Sequence, residues 1–419
     1  MAGRVHIVGA GLAGLAAAIR LAGAGHEIVL HEASPQAGGR CRSYFDGELG
    51  CRIDNGNHLL LSGNRAALDY LERIGAAASL IGPAAPTFDF CDLGTGERWS
   101  LAPGTGRLPW WIFSPRRRVP GTRGTDYLRA SSLAWSREDD AVPARLDTAT
   151  VLFRRLWQPF AVAALNTEIE AASARLLWRV IIESFGAGGA ALIPLVPREG
   201  LSESFIDPAL AYLAARGATL RFGARLRALT HGEGVLAALN FDDGAIALAP
   251  DDAVILAAPA PVAARLLPDL ATPGEFRAIV NAHYRLTVAA DRPPFIGLVG
   301  GTAEWVFRKQ GVLSVTVSAA DRLVDEPAER LAALLWRDVA RAYQLDEKTL
   351  PPWRIVKEKR ATFAATPATL RRRPGARTAW RNLFLAGDWT ATGLPATIEG
   401  AIRSGEAAAT MAAGRAKNR

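Results

Sequence analysis

The chain has 419 residues, which is more than one compact core usually contains and predicts two or three domains. Apolar residues make up 49% of the chain and charged residues 21%, so a large core can form and global disorder is excluded. No uncharged apolar run reaches the roughly 18 to 20 residues that a membrane-spanning helix needs. Three cysteines, Cys41, Cys51 and Cys91, are too few to stabilise a chain of this length by disulfide bonds, so a reducing, cytoplasmic setting is expected.

The net charge of +8 is concentrated in two basic stretches. Residues 107–129 contain six arginines and one acidic residue, and residues 354–377 contain eight basic residues and one acidic residue. Basic stretches attract nucleic acid, anionic lipid or anionic substrates, or are simply solvated surface. No nucleic-acid-binding module accompanies them, so nucleic acid is not expected as a partner.

The first 32 residues predict a βαβ unit of the kind that binds dinucleotides. A short apolar strand over residues 4–8 is followed by Gly9, Gly11 and Gly14, then by an Ala- and Leu-rich helix and a second strand. In this spacing Gly9 permits a tight turn, Gly11 lets the backbone approach a pyrophosphate, and Gly14 lets the helix pack close to the strand. The phosphates are expected at the helix N terminus, where free N–H groups point at them. The predicted pyrophosphate-binding residues are Gly9, Gly11, Leu12, Ala13 and Gly14.

Glu32, at the end of the second strand, narrows the choice of dinucleotide. Its carboxylate is placed to accept hydrogen bonds from ribose hydroxyls and disfavours a 2′-phosphate, so NADP is not expected. Gly38, Gly39 and Arg40 follow after a short loop and bring a glycine pair and a cation back toward the pyrophosphate. This arrangement resembles the glutathione-reductase-type FAD fold of the amine oxidase and carotenoid desaturase superfamily. The resemblance implies FAD as the cofactor, with Gly39 and Arg40 among its contacts; the alternative is an arginine in an ordinary turn.

A second half-site is predicted near the C terminus. An apolar strand ends in Gly387 and Asp388, and a helix is expected to open after Gly393. In the superfamily the matching aspartate contacts the ribityl–phosphate region, and the matching helix N terminus faces the pyrimidine edge of the flavin. Reduced flavin is negatively charged at that edge, where helix N–H groups stabilise it. The resemblance therefore implies further cofactor contacts at Gly387, Asp388, Thr397 and Ile398.

The strands and turns predicted between the two half-sites divide the chain into two domains. Residues 1–70, 196–261 and 353–419 are predicted to form a discontinuous FAD-binding domain. Residues 71–195 and 262–352 are predicted to form a substrate domain. The expected fold class is α/β, with a glutathione-reductase-type FAD-binding Rossmann domain and an inserted α+β substrate domain.

Two stretches of the middle region bear on the cofactors. A strand is expected over residues 221–229, and in the superfamily the residue that matches Leu226 holds the adenine through its backbone. Residues 186–191 resemble a second glycine-rich dinucleotide-binding motif, but Pro194 and Pro197 exclude the long helix that follows such a motif. No NAD(P)H domain is visible in the sequence, so an external electron donor is expected.

Three stretches carry a more specific resemblance. Residues 54–61 read Asp-Asn-Gly-Asn-His-Leu-Leu-Leu, residues 156–167 contain Trp-Gln-Pro-Phe and end in Asn-Thr, and residues 385–401 contain Trp-Thr-Ala-Thr-Gly-Leu-Pro. With them the chain resembles the squalene-associated FAD-dependent enzymes, or hydroxysqualene dehydroxylases, over nearly its whole length. The resemblance implies that reduced FAD converts hydroxysqualene to squalene in hopanoid synthesis, with loss of water. It also implies a hydrophobic isoprenoid substrate, which apolar area and shape alone can select.

Three other functions stay open at this point. A carotenoid-type desaturase or isomerase would share the fold and remove hydride from a polyene. A flavin amine oxidase is less favoured, because no lysine counterpart beside the flavin is identifiable and tyrosine is scarce. A prenyl-lipid carrier would not be an enzyme, and the intact glycine fingerprint with Glu32 and Asp388 speaks against it.

The catalytic candidates are three polar residues, and no metal site is predicted. His58 is the first choice for the proton donor that a departing hydroxyl needs, because it follows the Gly56-Asn57 turn where the superfamily approaches the isoalloxazine. Asn57 and His58 are also candidate flavin contacts. Asn166 interrupts an apolar run, and Glu399 lies in the first turn of the C-terminal helix. The alternatives are a hydrogen-bonded histidine, a helix cap near Asn166, and a helix-stabilising role for Glu399.

The basic stretch 107–129 predicts contact with a membrane. Trp110, Trp111 and Phe113 stand beside the arginines at 116–118. Aromatic rings at the headgroup level with cations toward anionic lipid are typical of an interfacial anchor. Peripheral association with the inner face of the cell membrane is therefore expected, and tryptophan packing beside a solvated arginine loop is the alternative.

Overall fold

The computed structural model describes residues 3–289, 291–309 and 311–415. Its strands are, in chain order, Val5–Val8 (β1), Ile28–His31 (β2), Ser43–Asp46 (β3), Cys51–Asp54 (β4), Leu60–Leu61 (β5), Leu80–Ile81 (β6), Phe88–Asp92 (β7), Arg98–Leu101 (β8), Pro194–Pro197 (β9), Thr219–Arg221 (β10), Leu226–His231 (β11), Leu236–Phe241 (β12), Gly244–Ala247 (β13), Ala253–Leu256 (β14), Phe276–Arg285 (β15), Phe295–Val299 (β16), Trp305–Lys309 (β17), Val312–Val317 (β18), Trp353–Phe363 (β19) and Leu383–Leu385 (β20).

The α-helices are Leu12–Gly23 (α1), Arg65–Arg73 (α2), Gly124–Leu128 (α3), Gln158–Leu165 (α4), Ala174–Glu183 (α5), Asp207–Ala214 (α6), Ala260–Leu266 (α7), Ala328–Tyr343 (α8), Pro367–Leu370 (α9) and Ile398–Arg415 (α10). Short 3₁₀ and π turns connect several of them. Within the described ranges, none of these helices combines the length and apolar character that crossing a bilayer requires.

Five short strands of the described chain form a parallel sheet in the order β10-β2-β1-β14-β20. On one face Ile7, Ile255 and Phe384 pack in a core with α1 and α10. The two helices approach closely, since a Cβ at Gly405 would lie 2.0 Å from the carbonyl oxygen of Ala13. On the other face Leu256 and its neighbours join a core with the β11-β12-β13 sheet. Burial on both faces explains why β14 and β20 are wholly apolar and why β1 and β2 are apolar apart from one buried histidine each.

A second, mixed sheet has the order β19-β15-β18-β17-β16-β7-β8 among the described residues. One face carries Val280, Val315 and Val306, which pack in a core with Leu335 and Val339 of α8. The opposite face is polar at the β15 and β18 end and aromatic at the other end, and it contributes to the site described below. β19 pairs with β15 along its length, so this strand belongs to the mixed sheet although the FAD-binding segment was predicted to begin at residue 353.

Most of the secondary structure predicted near the two ends of the chain is found in the structure. The βαβ unit, the strand before residue 387 and the C-terminal helix are all present. The strand expected over 221–229 is two strands, β10 and β11, which lie in different sheets. Gly223 separates them, because its φ of +71° lies in the left-handed region. Residues 186–191 form only short 3₁₀ turns before β9, as Pro194 and Pro197 predict.

Candidate active site

The glycine turn after β1 is shaped by backbone contacts on one side and open on the other. Gly9 has a φ of +110°, and a Cβ there would lie 2.6 Å from the carbonyl oxygen of Ala257. A Cβ at Gly14 would lie 1.9 Å from the carbonyl oxygen of Gly9. A Cβ at Gly11, by contrast, would meet nothing within 4 Å. Gly9 and Gly14 are therefore required by the fold, while Gly11 borders open space before the N terminus of α1, where a pyrophosphate fits.

Glu32 lies at the carboxyl end of β2, beside this turn. Its Oε2 accepts a hydrogen bond from the N–H of Ala10 at 2.7 Å, and its Oε1 accepts one from the N–H of Ser34 at 2.8 Å. The N–H of Ala224 donates to the carbonyl oxygen of Glu32 at 2.8 Å, which brings the start of β11, with Leu226, next to the acid. The residues predicted to hold the ribose and the adenine are thus neighbours in the structure.

The segment with Gly38, Gly39 and Arg40 returns to the glycine turn, as predicted. The N–H of Gly38 donates to the carbonyl oxygen of Ala10 at 2.8 Å, and Gly38 forms a parallel bridge with Gly11. This position brings the Arg40 side chain over the carboxyl ends of the parallel strands.

Arg40 joins the N-terminal half-site to the C-terminal one. Its Nη2 lies 2.7 Å from Oδ2 of the buried Asp388, and its Nη1 donates to the carbonyl oxygen of Ala361. The Asp388 carboxylate raises the pKa of Arg40. The Arg40 side chain nevertheless keeps 43% of its surface accessible, so it borders a space rather than being fully packed. The two predicted half-sites therefore lie at one edge of the parallel sheet.

The loop between β20 and α10 is held by a buried arginine. The Arg373 guanidinium donates to the carbonyl oxygens of Leu394 and Asp388 at 2.7 and 3.0 Å, and burial lowers its pKa to about 10. Thr397 then caps α10, since its Oγ1 accepts a hydrogen bond from the N–H of Gly400 at 3.0 Å. Arg373 was missed in the sequence because it is indistinguishable there from the neighbouring arginines. Ile398 is buried in the first turn of the helix, just after this cap.

The segment before β5 is fixed to the polar end of the mixed sheet. Nδ2 of Asn57 donates to Oγ1 of Thr316 at 3.0 Å, and that hydroxyl donates to Oδ1 of Asn281 at 2.8 Å. Nδ2 of Asn281 in turn contacts the carbonyl oxygen of Asn55 at 3.4 Å. These bonds hold the next residue, His58, close to the polar end of the mixed sheet.

His58 has a defined hydrogen-bond partner that limits its chemistry. Its Nδ1 lies 3.2 Å from the carbonyl oxygen of Gly56, which can only accept, so the ring donates through Nδ1. Burial lowers the pKa of His58, so the ring is neutral and Nε2 carries a lone pair rather than a proton. His58 therefore suits a hydrogen-bond acceptor better than the proton donor predicted for it.

An apolar surface that the sequence analysis missed adjoins this segment. Rings from four neighbouring strands lie on the same face of the mixed sheet as Thr316, because Trp305 is opposite Thr316 in the β17–β18 register. Adjacent ring centroids lie 5.5 to 6.2 Å apart. Leu59, directly after His58, packs against them. We call this surface the aromatic wall; its members are Phe88, Phe90, Trp99, Phe295, Trp305 and Phe307.

The comparisons with known proteins agree with this geometry. The family model described as flavin containing amine oxidoreductase matches residues 12–412. A hydroxysqualene dehydroxylase of Rhodopseudomonas palustris (strain ATCC BAA-98 / CGA009) is 51% identical over 99% of this chain and 100% of its own length. A hydroxysqualene dehydroxylase of Sinorhizobium fredii (strain NBRC 101917 / NGR234) is 49% identical over 97% of this chain and 98% of its own length. The chain belongs to the flavin-containing amine oxidoreductase family and, within it, to the hydroxysqualene dehydroxylases.

Solved structures support the fold. A putative protoporphyrinogen oxidase from Exiguobacterium sp. 255-15 aligns over 100% of both chains with a TM-score of 0.69 and 18% identity. Wild-type putrescine oxidase bound to putrescine aligns over 98% of both chains with a TM-score of 0.67 and 17% identity. The predictions of an α/β fold with a Rossmann-type FAD domain, of FAD as the cofactor, and of an FAD-dependent oxidoreductase are confirmed.

In this hydroxysqualene dehydroxylase family member, Asn166 does not fit the catalytic role predicted for it. It is buried at the C terminus of α4 with a φ of +45°. Its Oδ1 accepts a hydrogen bond from the N–H of Ala319 at 2.6 Å, and its Nδ2 donates to Oγ1 of Thr362 at 2.9 Å. Both ends of the side chain thus tie α4 to the mixed sheet. The next helix, α5, is capped by Ser173 and not by residues 166–170, so the helix-cap alternative does not describe Asn166 either.

Glu399 does not fit a catalytic role either. Its carboxylate is buried and accepts hydrogen bonds from the N–H groups of Ala66 and Ala67, at 3.2 and 2.9 Å. Nε of Arg403 donates to the same carboxylate at 2.8 Å. The side chain therefore joins the N terminus of α2 to α10, where an anion stabilises the free N–H groups.

The two basic stretches differ in their partners. In residues 354–377 many cations are satisfied within the protein, as in the pairs Arg354–Asp46 and Arg371–Asp139 and in the buried Arg373. In residues 107–129, none of the arginines forms an ion pair with an acid in the described part of the chain. The first stretch is therefore the one that leaves its charge available.

Proposed function

We propose that the protein reduces hydroxysqualene to squalene, with hydride from reduced FAD reaching an allylic carbon as water leaves. The observation that carries this proposal is the aromatic wall beside the FAD half-sites. A C30 hydrocarbon offers no charge to recognise, so its binding depends on apolar area. Phe88 and Trp305 of the wall keep part of their surface accessible, and the other four rings are buried. The names of the two near-full-length bacterial relatives support the same substrate.

The residues of this chain have separate tasks in that reaction. The turn at Gly11 and the N terminus of α1 would hold the pyrophosphate, Glu32 the ribose, and Asp388 the ribityl–phosphate region. FAD in its reduced form supplies the hydride. The aromatic wall aligns the chain of the substrate and excludes water, and ring faces stabilise the positive charge that develops on the allylic carbon. An external electron donor would reduce the flavin for the next turnover.

Product analysis tests this function directly. Photoreduced holoenzyme is mixed with hydroxysqualene without oxygen, and oxidised holoenzyme is mixed in air with ζ-carotene and, separately, with a primary amine. The products are identified by mass spectrometry. Squalene from hydroxysqualene alone is the expected result. Desaturation of the carotene by oxidised enzyme, or peroxide release with the amine in air, would replace the proposal by one of its alternatives.

We also propose that the segment around Trp110 contacts the membrane that dissolves the substrate. Leu108, Trp110 and Phe113 are exposed to 61%, 70% and 54%, whereas Trp111 and Ile112 between them are buried. Three large apolar side chains are therefore exposed beside arginines that form no ion pair with an acid among the residues that the structure describes. This combination supports binding to anionic lipid at the inner face of the cell membrane.

A further inference from the structure

One row of residues crosses the mixed sheet from its polar end to the aromatic wall. Asn281 of β15 is opposite Thr316 of β18, and Thr316 is opposite Trp305 of β17. Gly297 of β16 follows beside Trp305, and Phe90 of β7 lies beyond it. Residues directly opposite in antiparallel strands carry their side chains on the same face, with Cβ atoms roughly 4.5 to 5.5 Å apart. Thr316 and Trp305 are therefore adjacent side chains where the polar part of the face meets the apolar part.

Two polar atoms at this junction have no hydrogen-bond partner. Within the residues that the structure describes, Nε1 of Trp305 and Oδ1 of Asn57 are buried and form no hydrogen bond. Most buried polar atoms in folded proteins are paired, so an unpaired one indicates a bound group that completes it. Both side chains also keep part of their surface accessible, so each borders a space as well as protein.

The orientation of the Asn57 amide follows from the bonds around Thr316. Nδ2 of Asn281 contacts the carbonyl oxygen of Asn55, which only accepts, so Oδ1 of Asn281 takes the hydrogen of the Thr316 hydroxyl. The Thr316 oxygen then offers only lone pairs to Asn57, which must donate through Nδ2. The Oδ1 of the same amide group is therefore a fixed acceptor next to Thr316.

The six-membered half of the Trp305 ring lies over β16, on the side away from Thr316. A Cβ at Gly297 would lie 3.2 Å from Cη2 of Trp305, so the ring covers the backbone there. The rings of Phe90 and Phe295 contact it at centroid distances of 5.6 and 6.2 Å. The five-membered half, which carries Nε1, is consequently the part of the ring nearest to Thr316.

We propose that Trp305 and Asn57 bind the hydroxyl group of hydroxysqualene, an inference that rests on the proposed function. A hydroxyl group both donates and accepts, and here an indole N–H, which only donates, lies near an amide oxygen, which only accepts. Trp305 donates to the substrate oxygen and Asn57 accepts its hydrogen, while the hydrocarbon chain lies against the accessible part of the aromatic wall. Squalene has no hydroxyl group and leaves both atoms unpaired, so the site favours substrate over product.

Other polar groups on or near this face are already engaged. Oγ of Ser314 lies 2.6 Å from Nδ1 of His283, and the ammonium group of Lys309 is bound to the buried Asp54 carboxylate. Trp336 also has an unpaired N–H among the described residues, but it is buried with α8 in the core on the opposite face of the sheet. Trp305 and Asn57 are thus the pair that combines unsatisfied atoms with a position between the polar and the apolar part of the site.

Equilibrium binding to oxidised holoenzyme tests the proposal without turnover, because oxidised FAD has no hydride to give. The dissociation constants of hydroxysqualene and squalene are measured in the same detergent through the change in flavin absorbance. We expect wild type to bind hydroxysqualene at least roughly tenfold more tightly than squalene. The ratio of the two constants is the readout, because a loss of packing alters both affinities alike.

Trp305→Phe keeps a ring in the wall and removes the N–H. We expect it to lower the preference for hydroxysqualene by roughly threefold to tenfold. Asn57→Ala should lower the preference by a similar factor, and the double variant should bind the two lipids equally. Trp336→Phe removes an unpaired N–H from the core behind the sheet and is the matched control, which should keep the wild-type ratio.

The results separate this site from the proposed function. An unchanged ratio in Trp305→Phe, or a wild type that does not distinguish the two lipids, overturns the hydroxyl site, while squalene formation by photoreduced wild type still upholds the proposed function. If Asn57→Ala loses FAD, the ratio in Trp305→Phe alone decides. Failure of photoreduced wild type to form squalene would instead contradict the proposed function, whatever the ratio.

Discussion

Arg40 and Asp388 lie 348 positions apart in the chain, and their side chains form an ion pair with 2.7 Å between Nη2 and Oδ2. The pair connects the loop after β2 to the loop after β20. Since β2 and β20 belong to one parallel sheet, both loops emerge at its carboxyl edge, which is where open α/β sheets bind their ligands. The cofactor site is therefore completed only when the two ends of the chain fold together.

Arg40→Met should weaken FAD binding by roughly tenfold or more, about 1.4 kcal/mol, because the buried Asp388 carboxylate loses its partner. The dissociation constant can be measured by quenching of flavin fluorescence with the apoprotein. Arg4→Met removes an exposed ion pair with Glu27 and is the matched control. Equal affinities of Arg40→Met and the control would show that the pair does not support the cofactor site.

Gly11→Ala should weaken FAD binding, whereas Gly14→Ala should destabilise the apoprotein. A methyl group at Gly11 meets no protein atom within 4 Å, so the apoprotein should melt as wild type while FAD binding falls sharply, because the methyl occupies space needed by the pyrophosphate. A methyl group at Gly14 would lie 1.9 Å from a backbone oxygen, so the apoprotein itself should be destabilised. Thermal melting with and without FAD separates the two effects, and normal FAD binding by Gly11→Ala would contradict the placement.

The cofactor half-sites could be predicted from the sequence because their geometry is encoded locally. The turn at Gly9 needs a positive φ, a helix N terminus follows it at once, and Glu32 ends the next strand; each feature involves residues close together in the chain. The placement of Asp388 came from the resemblance to a superfamily, and the structure brings it to Arg40. The Gly9 turn, the helix N terminus and Glu32 could therefore be predicted without knowing which strands pair in the sheet.

Glu399→Gln should destabilise the protein without slowing the chemistry. The carboxylate accepts hydrogen bonds from the N terminus of α2 and from Arg403, so its neutralisation should cost about 1 to 3 kcal/mol of unfolding free energy. The melting temperature should fall by a few degrees, and the single-turnover rate per bound FAD should stay as in wild type. A large loss of rate in correctly flavinated protein would restore Glu399 as a catalytic residue.

The substrate side of the site could not be predicted in the same way. The aromatic wall takes rings from strands as far apart as β7 and β17, and only the register of the mixed sheet puts Phe90 and Trp305 on one face. The hydrogen bonds of Asn166 and Glu399 could not be predicted either, since structural and catalytic groups use the same residue types.

Replacing Trp110 and Phe113 together by serine should reduce binding to vesicles that contain phosphatidylglycerol by tenfold or more. Each ring that enters the interface contributes up to about 1.5 to 3 kcal/mol, and the arginines of the same segment add a salt-dependent attraction. Co-sedimentation at low and high salt measures both contributions. Phe45→Ser removes a ring that is 65% exposed outside this segment and is the control. Equal binding of the double variant and the control would exclude the segment as the contact.

The central claim is that hydride passes from reduced FAD to an allylic carbon of hydroxysqualene while the hydroxyl leaves as water. The most direct test is a single turnover of photoreduced holoenzyme in D2O, where the flavin N5 position carries deuterium. The account predicts that flavin reoxidation and squalene formation occur in equal amounts and that each squalene carries one deuterium at the former carbinol carbon. Squalene without deuterium, or flavin that stays reduced in the presence of hydroxysqualene, would contradict it.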